Sequence, residues 1–180
     1  MQILDLKQTY FDLFGLEFTF DIDVDQLHTE QQRLQAIYHP DRFVTASEQD
    51  RRLSVQQASW INQAFEALSN PVKRSRYMLE LSGLELNDES ETTSDTVFLM
   101  EQIAIREEID ECRSDADPLS CCDHIAQKLH SKAAQFGSEF VNSFNQGQLD
   151  DARMNSRKMQ FIQRILEQLT DFQIELEEGF

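Results

Sequence analysis

The 180-residue chain has room for one large domain or two small ones, and its 40% hydrophobic content is enough for a true core. Its 33 Asp and Glu against 16 Lys and Arg leave a net charge of −17. A surface that acidic repels phosphate backbones and anionic membranes, which argues against either as a partner. No apolar run approaches the roughly 18 residues of a membrane span, and the opening MQILDLKQTYFDLFGL lacks the basic region and cleavage site of a signal peptide. The cytosol is therefore the expected location.

With only 5 Gly and 3 Pro there is little material for tight hairpins. Apolar residues recur three and four apart, and no segment sustains period-two alternation, so the predicted fold is all-α. In chain order, Tyr10, Phe11, Leu13 and Phe14 form a short apolar segment closed by Gly15, a helix-end residue. Val24, Leu27, Leu34, Ile37 and Tyr38 share one stripe of a helix that starts near Asp23 or Asp25. Pro40 biases His39 away from helical geometry and should stop this helix. A third helix carries Leu53, Ala58, Ile61, Ala64, Phe65 and Leu68 at helical period; Trp60 on it is expected to anchor the helix pair. Pro71 ends that helix and opens a fourth, with Tyr77, Met78 and Leu81 on its apolar side. The two long helices joined by residues 39–47 make an antiparallel hairpin.

Residues 85–95, ELNDESETTSD, are polar and aperiodic and read as a linker. Beyond it come three longer helical patterns. The first runs from about Asp95 to Arg113 and the second from about Leu119 to Phe144, with Ile125, Leu129, Ala133, Phe136 and Phe140 inward. The third follows Gly147 and turns Ile162, Ile165, Leu166, Leu169, Phe172 and Leu176 inward. Short connections imply an antiparallel three-helix bundle. Cys112, Cys121 and Cys122 are odd in number and lack metal-ligand or CxxC spacing, so reduced thiols and no zinc are expected. His28, His124 and His130 read as solvated helix residues.

His39-Pro40-Asp41 alone fits an ordinary helix stop. Placed between two amphipathic helices, however, it protrudes at a hairpin tip. Pro40 stiffens the backbone there and lowers the entropy lost when the tip docks on another protein. His39 and Asp41 offer polar groups and Arg42 follows, but there is no nucleophile at defined spacing and no Gly-rich phosphate loop. The tip suits a protein contact better than catalysis; an enzyme using His39 and Asp41 as acid and base would need a pocket.

YFDLFGL, AIYHPDRF and INQAFEALSNPVKRSRYML, in this order over residues 9–80, resemble the opening helix, signature loop and closing helices of J-domains. In that family the loop contacts the ATPase domain of a DnaK-type chaperone and stimulates hydrolysis, so the resemblance implies this role for His39, Pro40 and Asp41. It also implies basic contacts from the second helix. Here these reduce to Arg33 and the flanking Arg42, a sparse set for electrostatic steering.

The first helix of the C-terminal unit has more apolar residues than one core can take. At about 100° per residue, Phe98, Ile105, Ile109 and Cys112 make one stripe, and Leu99, Met100 and Ile103 a second. The second face either packs on the N-terminal unit or forms an exposed patch that binds a partner. TVFLMEQIAIREEIDE and SRKMQFIQRILEQL, following the J-domain-like half, make the whole chain similar to the HscB co-chaperones of iron–sulfur cluster assembly. That resemblance implies residues 1–84 as a J-domain, 85–95 as a linker and 96–180 as a bundle binding the scaffold protein IscU. By position, Leu99, Met100, Ile103, Glu107 and Phe161 would make the scaffold contact, with Ala104 standing where some relatives have an acidic residue. The specialised chaperone HscA would be the other partner, with no cofactor and no enzymatic activity. The absence of cysteine before Cys112 aligns the chain with bacterial members. The competing expectations are a J-protein serving a general DnaK chaperone with another client, and a purely structural helical adaptor.

Overall fold

In the computed structural model, residues 4–86 and 96–178 are described. Among the described residues there are seven α-helices, one 3-10 turn and no strand. The chain forms two compact units, residues 1–82 and 83–180. Most of the expected linker, from residue 87 on, lies outside the described residues.

The first unit starts with α1 (Tyr10–Leu13), fixed by a capping box in which Thr9 Oγ1 accepts the Asp12 N–H at 3.1 Å. Gly15, at φ 62°, turns the chain away. Asp23 accepts the Gln26 N–H at 2.9 Å and starts α2 (Val24–Tyr38). After the 3-10 turn Pro40–Phe43, Ser47 caps α3 (Glu48–Ser69). Asn70 then caps α4 (Pro71–Leu81), accepting the Val72 and Lys73 N–H groups at 2.9 and 3.1 Å, with Pro71 at the first helical position.

Leu27, Leu34 and Tyr38 of α2 and Ile61, Ala64 and Leu68 of α3 are buried, as are Phe11, Phe14, Met78 and Leu79. Each large side chain so buried contributes about 1.5–3 kcal/mol. Two predicted core positions are corrected: Val24 and Leu81 are 46% and 42% exposed. Val24 lies at the very start of α2. Leu81 lies two residues, about 200° around the helix, from the buried Leu79. The Trp60 ring packs edge-on against Tyr10 of α1 at 5.0 Å. Tyr77 of α4 stacks on the same Tyr10 ring at 4.3 Å, and its hydroxyl oxygen accepts the Tyr10 N–H at 3.0 Å. Burial first, and then neighbouring acidic groups such as Glu80, push both phenols above their ordinary pKa, against the lowering effect of the Tyr10 N–H on Tyr77.

Two arginines close helix ends in the same way. Arg42 donates to the Ala36 carbonyl and Arg74 to the Leu68 carbonyl, each reaching six residues back across a proline break. Each supplies a positive group to carbonyls that the helix C-terminus leaves unpaired.

The second unit contains α5 (Thr96–Cys112), α6 (Pro118–Asn145) and α7 (Leu149–Glu177). Gly147, at φ 73°, reverses the chain between α6 and α7. Gln173 near the end of α7 donates to Asp123 near the start of α6 at 2.8 Å, so these helices are antiparallel. Lys128 and Lys132 of α6 pair with Glu108 and Glu101 of α5, which makes that contact antiparallel too. Ile125, Leu129, Phe136 and Phe140 face Ile162, Ile165, Leu169 and Phe172 in the core. Ala133, Leu166, Leu176 and Ile109 sit at its margin, half-buried.

The cysteine expectation is overturned for two of the three residues. Cys112 and Cys121 form a disulfide across the α5–α6 turn, with Cα atoms 5.7 Å apart. Motif spacing is blind to this, because the tight turn, rather than a CxxC pattern, brings the two residues together. Cys122 is free and buried. Among the described residues no group of three or more His, Cys, Asp or Glu side chains is arranged to hold a metal. Among the same described residues, no helix is long and apolar enough to cross a membrane.

Candidate functional sites

The tip is built by backbone rules. His39 ends α2: its N–H donates to Gln35 O at 2.9 Å, while φ −59° and ψ 131° give the extended geometry a following proline demands. Pro40 then opens the 3-10 turn, closed by the Arg42 N–H on His39 O at 3.1 Å. His39 Nδ1 accepts the Asp41 N–H at 3.2 Å and lies 3.6 Å from Asp41 Oδ2. With Nδ1 accepting, a neutral ring carries its proton on Nε2. A ring donor therefore stands beside a carboxylate acceptor on a pre-formed turn.

Both side chains are open to water, His39 at 56% and Asp41 at 87% exposure. An acid–base pair this hydrated lacks the water-excluded setting that catalysis needs. The same exposure suits docking on another protein. Arg42 is exposed, but part of its guanidinium is already engaged at the end of α2. Arg33 Nε donates to Glu30 Oε2 at 2.7 Å, so its charge is locally paired. The expected basic flank is present by position, with each arginine partly committed within the chain.

On α5 the two predicted stripes separate as the arithmetic requires. Phe98, Ile105 and Cys112 are buried, whereas Leu99, Met100 and Ile103 are 37%, 71% and 54% exposed. Val97 joins this exposed face, at 77%. Its position three residues before Met100, on the same helical face, was the available signal. Phe161 of α7 is half-buried and meets α5 edge-on through Phe98 at 5.5 Å. The charged group over its ring is Arg106, 5.9 Å from the centroid, a contact the sequence reading missed. Glu107 is exposed and lines, with Asp110, Glu111 and Ser114, a shallow acidic cavity of about 510 Å³. The second site is thus an apolar helix face with an aromatic edge on one side and an acidic rim on the other.

A solvent-exposed tip on a pre-formed turn suits docking on another protein, and the helices around it have the order of a J-domain co-chaperone. The family described as "HSCB C-terminal oligomerisation domain" matches residues 94–170. A curated relative, the co-chaperone protein HscB of Proteus mirabilis, is 36% identical over 95% of this chain and 99% of its own length. The solved structure of chaperone HscB from Vibrio cholerae superposes with a TM-score of 0.84 at 34% identity, covering 94% of this chain and 99% of that one. The human co-chaperone HscB gives a TM-score of 0.85 at 26% identity, covering 97% and 87%. The chain belongs to the HscB family of co-chaperones. It is a non-enzymatic, all-helical family, and membership implies an Hsp70 partner.

Proposed function

We propose that this protein stimulates the ATPase of an HscA-like, DnaK-type chaperone and delivers an IscU-like scaffold to it, aiding iron–sulfur cluster assembly and transfer. His39, Pro40 and Asp41 make the chaperone contact, with Arg42 and Arg33 beside them. Leu99, Met100, Ile103, Glu107 and Phe161 make the scaffold contact. Residues 1–84 act as the J-domain and 96–180 as the scaffold-binding bundle, joined through 85–95, in the bacterial cytoplasm. No cofactor takes part.

The observation that carries this reading is the exposed Leu99-Met100-Ile103 face on a helix whose opposite stripe is already buried. Apolar side chains kept in water on one helix face are characteristic of a surface awaiting a partner. A general J-protein with another client needs the tip but has no use for this particular face.

The test is the ATPase rate of the HscA-like chaperone with this protein, with the scaffold, and with both. Synergy from the pair is the expected result. Stimulation by this protein that the scaffold leaves unchanged would favour the general J-protein instead.

A further inference from the structure

We propose that Cys112 and Cys121 are a reversible dithiol–disulfide pair whose oxidation fastens α5 to α6. Cys112 ends α5 and is 1% exposed, while Cys121 lies half-buried in the first turn of α6. The turn between them has its own hydrogen bonds. The Ser114 N–H donates to Glu111 O at 3.0 Å and the Asp115 N–H to Cys112 O at 3.2 Å, while Asp117 caps α6 by accepting the Ser120 N–H at 3.2 Å. These contacts involve no sulfur, so they hold the two Cα atoms within bridging distance when the thiols are reduced. The pair is preorganised for closure.

The chemistry is thiol–disulfide exchange with a small disulfide such as oxidised glutathione. Cys121 is the more accessible thiol and so the one the oxidant meets first. It attacks one sulfur of the oxidant, forming a mixed disulfide and expelling one reduced glutathione. The Cys112 thiolate then attacks Cys121 Sγ and expels the second. Two protein thiols lose two hydrogens, and the oxidant gains them as two reduced glutathiones. Neighbouring Cys122 stays out of the exchange: it is fully buried, and burial together with Asp123 pushes its thiol up.

Closing this bond matters because α5 is the least embedded helix of its unit. It buries Phe98, Ile105 and Cys112, whereas α6 and α7 each bury seven residues. The rest of its attachment is at the margin: half-buried Ile109, ion pairs such as Lys128–Glu108, and, one residue past its end, Arg113 over the Phe172 ring at 4.2 Å. A covalent ring of this short length shifts an order–disorder equilibrium by roughly a hundredfold in the chain-entropy account. The effect falls on α5 whatever α5 binds, so it stands independently of the scaffold reading.

The experiment equilibrates the full chain in glutathione buffers from fully reduced to fully oxidised. Bridged peptides are then mapped by mass spectrometry, and amide hydrogen exchange is measured in each state. A Cys112–Cys121 peptide pair is expected in oxidising buffer, with Cys122 unmodified. Exchange of α5 amides should slow by about tenfold or more in the bridged form, and α2 and α3 amides should be unchanged. Cys121→Ser should fold normally and remove the redox dependence, and Cys112→Ser should stop at glutathione on Cys121. Two results would overturn the proposal: glutathione that stays on Cys121 of the unaltered chain without bridging, or α5 exchange identical in both states.

Discussion

The two units solve the problem of presenting a surface in opposite ways. In the first, backbone chemistry does the presenting. Capping side chains at Thr9, Asp23, Ser47 and Asn70, two prolines and two carbonyl-seeking arginines fix where each helix starts and stops. The tip is then a consequence of where α2 must end. In the second, few such stops exist among its three helices, and the surface arises from side-chain surplus: α5 carries two apolar stripes and only one fits the core. Tip geometry should thus resist changes in side-chain packing, while the α5 face should depend on how firmly one marginally attached helix is held.

The largest effects test whether the two surfaces are separable. His39→Gln keeps a polar side chain at an exposed position and should leave thermal stability unchanged. It should nonetheless abolish stimulation of the chaperone's ATPase in a single-turnover assay, because it removes the ring from the docking turn. Undiminished stimulation would place the contact elsewhere. Replacing Leu99, Met100 and Ile103 together by Ala should weaken scaffold binding by about a hundredfold or more, measured by calorimetry, since exposed apolar anchors of this kind contribute roughly 1–2 kcal/mol each. The same variant should stimulate the chaperone normally in the scaffold's absence. Loss of both activities in either variant would break the division of labour.

How much of this was legible in the sequence follows from the same contrast. The hairpin and its tip were readable because Pro40 imposes its geometry on His39 regardless of what packs nearby. The α5 stripes were readable because seventeen helical residues give periodicity enough turns to declare itself. α4 has only eleven residues, and there Met78 is buried as its spacing suggests while Leu81, the last residue of the helix, is exposed and Leu79 is buried beside Met78. The contact of Trp60 with Tyr10 is not legible, because α1 is a single turn, too short to announce which face of α3 it covers. The Cys112–Cys121 bridge and the capping roles of Arg42 and Arg74 depend on three-dimensional turn paths, about which spacing in sequence is silent.

A middle-sized effect probes the first unit's reliance on caps. Asn70→Ala removes the acceptor for two α4 N–H groups and should cost about 1–2 kcal/mol. The only tryptophan in the chain, Trp60, belongs to this unit, so its fluorescence during urea unfolding reports this unit specifically. The midpoint should fall with the slope unchanged. An unchanged midpoint would mean that packing, not capping, fixes the α3–α4 corner.

The smallest effect probes the second unit's reliance on charge. Lys128 and Lys132 pair with Glu108 and Glu101 from side chains between one quarter and one half exposed, at 46%, 25%, 35% and 34% respectively. Pairs this wet contribute only about 0.2–1 kcal/mol each. Raising salt from 0.1 to 1 M shortens the screening length from about 10 to about 3 Å and should remove part of that. In reducing buffer, with no bridge to hold the helix, α5 amides should then exchange a few-fold faster, while amides of the α2–α3 hairpin, anchored by Leu27, Leu34, Ile61 and Leu68, should not respond. Equal sensitivity in both units would mean that salt acts on the chain's overall −17 charge rather than on these pairs, and α5 would lose its standing as the loosely held element. Lys132→Gln discriminates further: at low salt it should reproduce part of the faster α5 exchange, and at high salt its added effect should shrink.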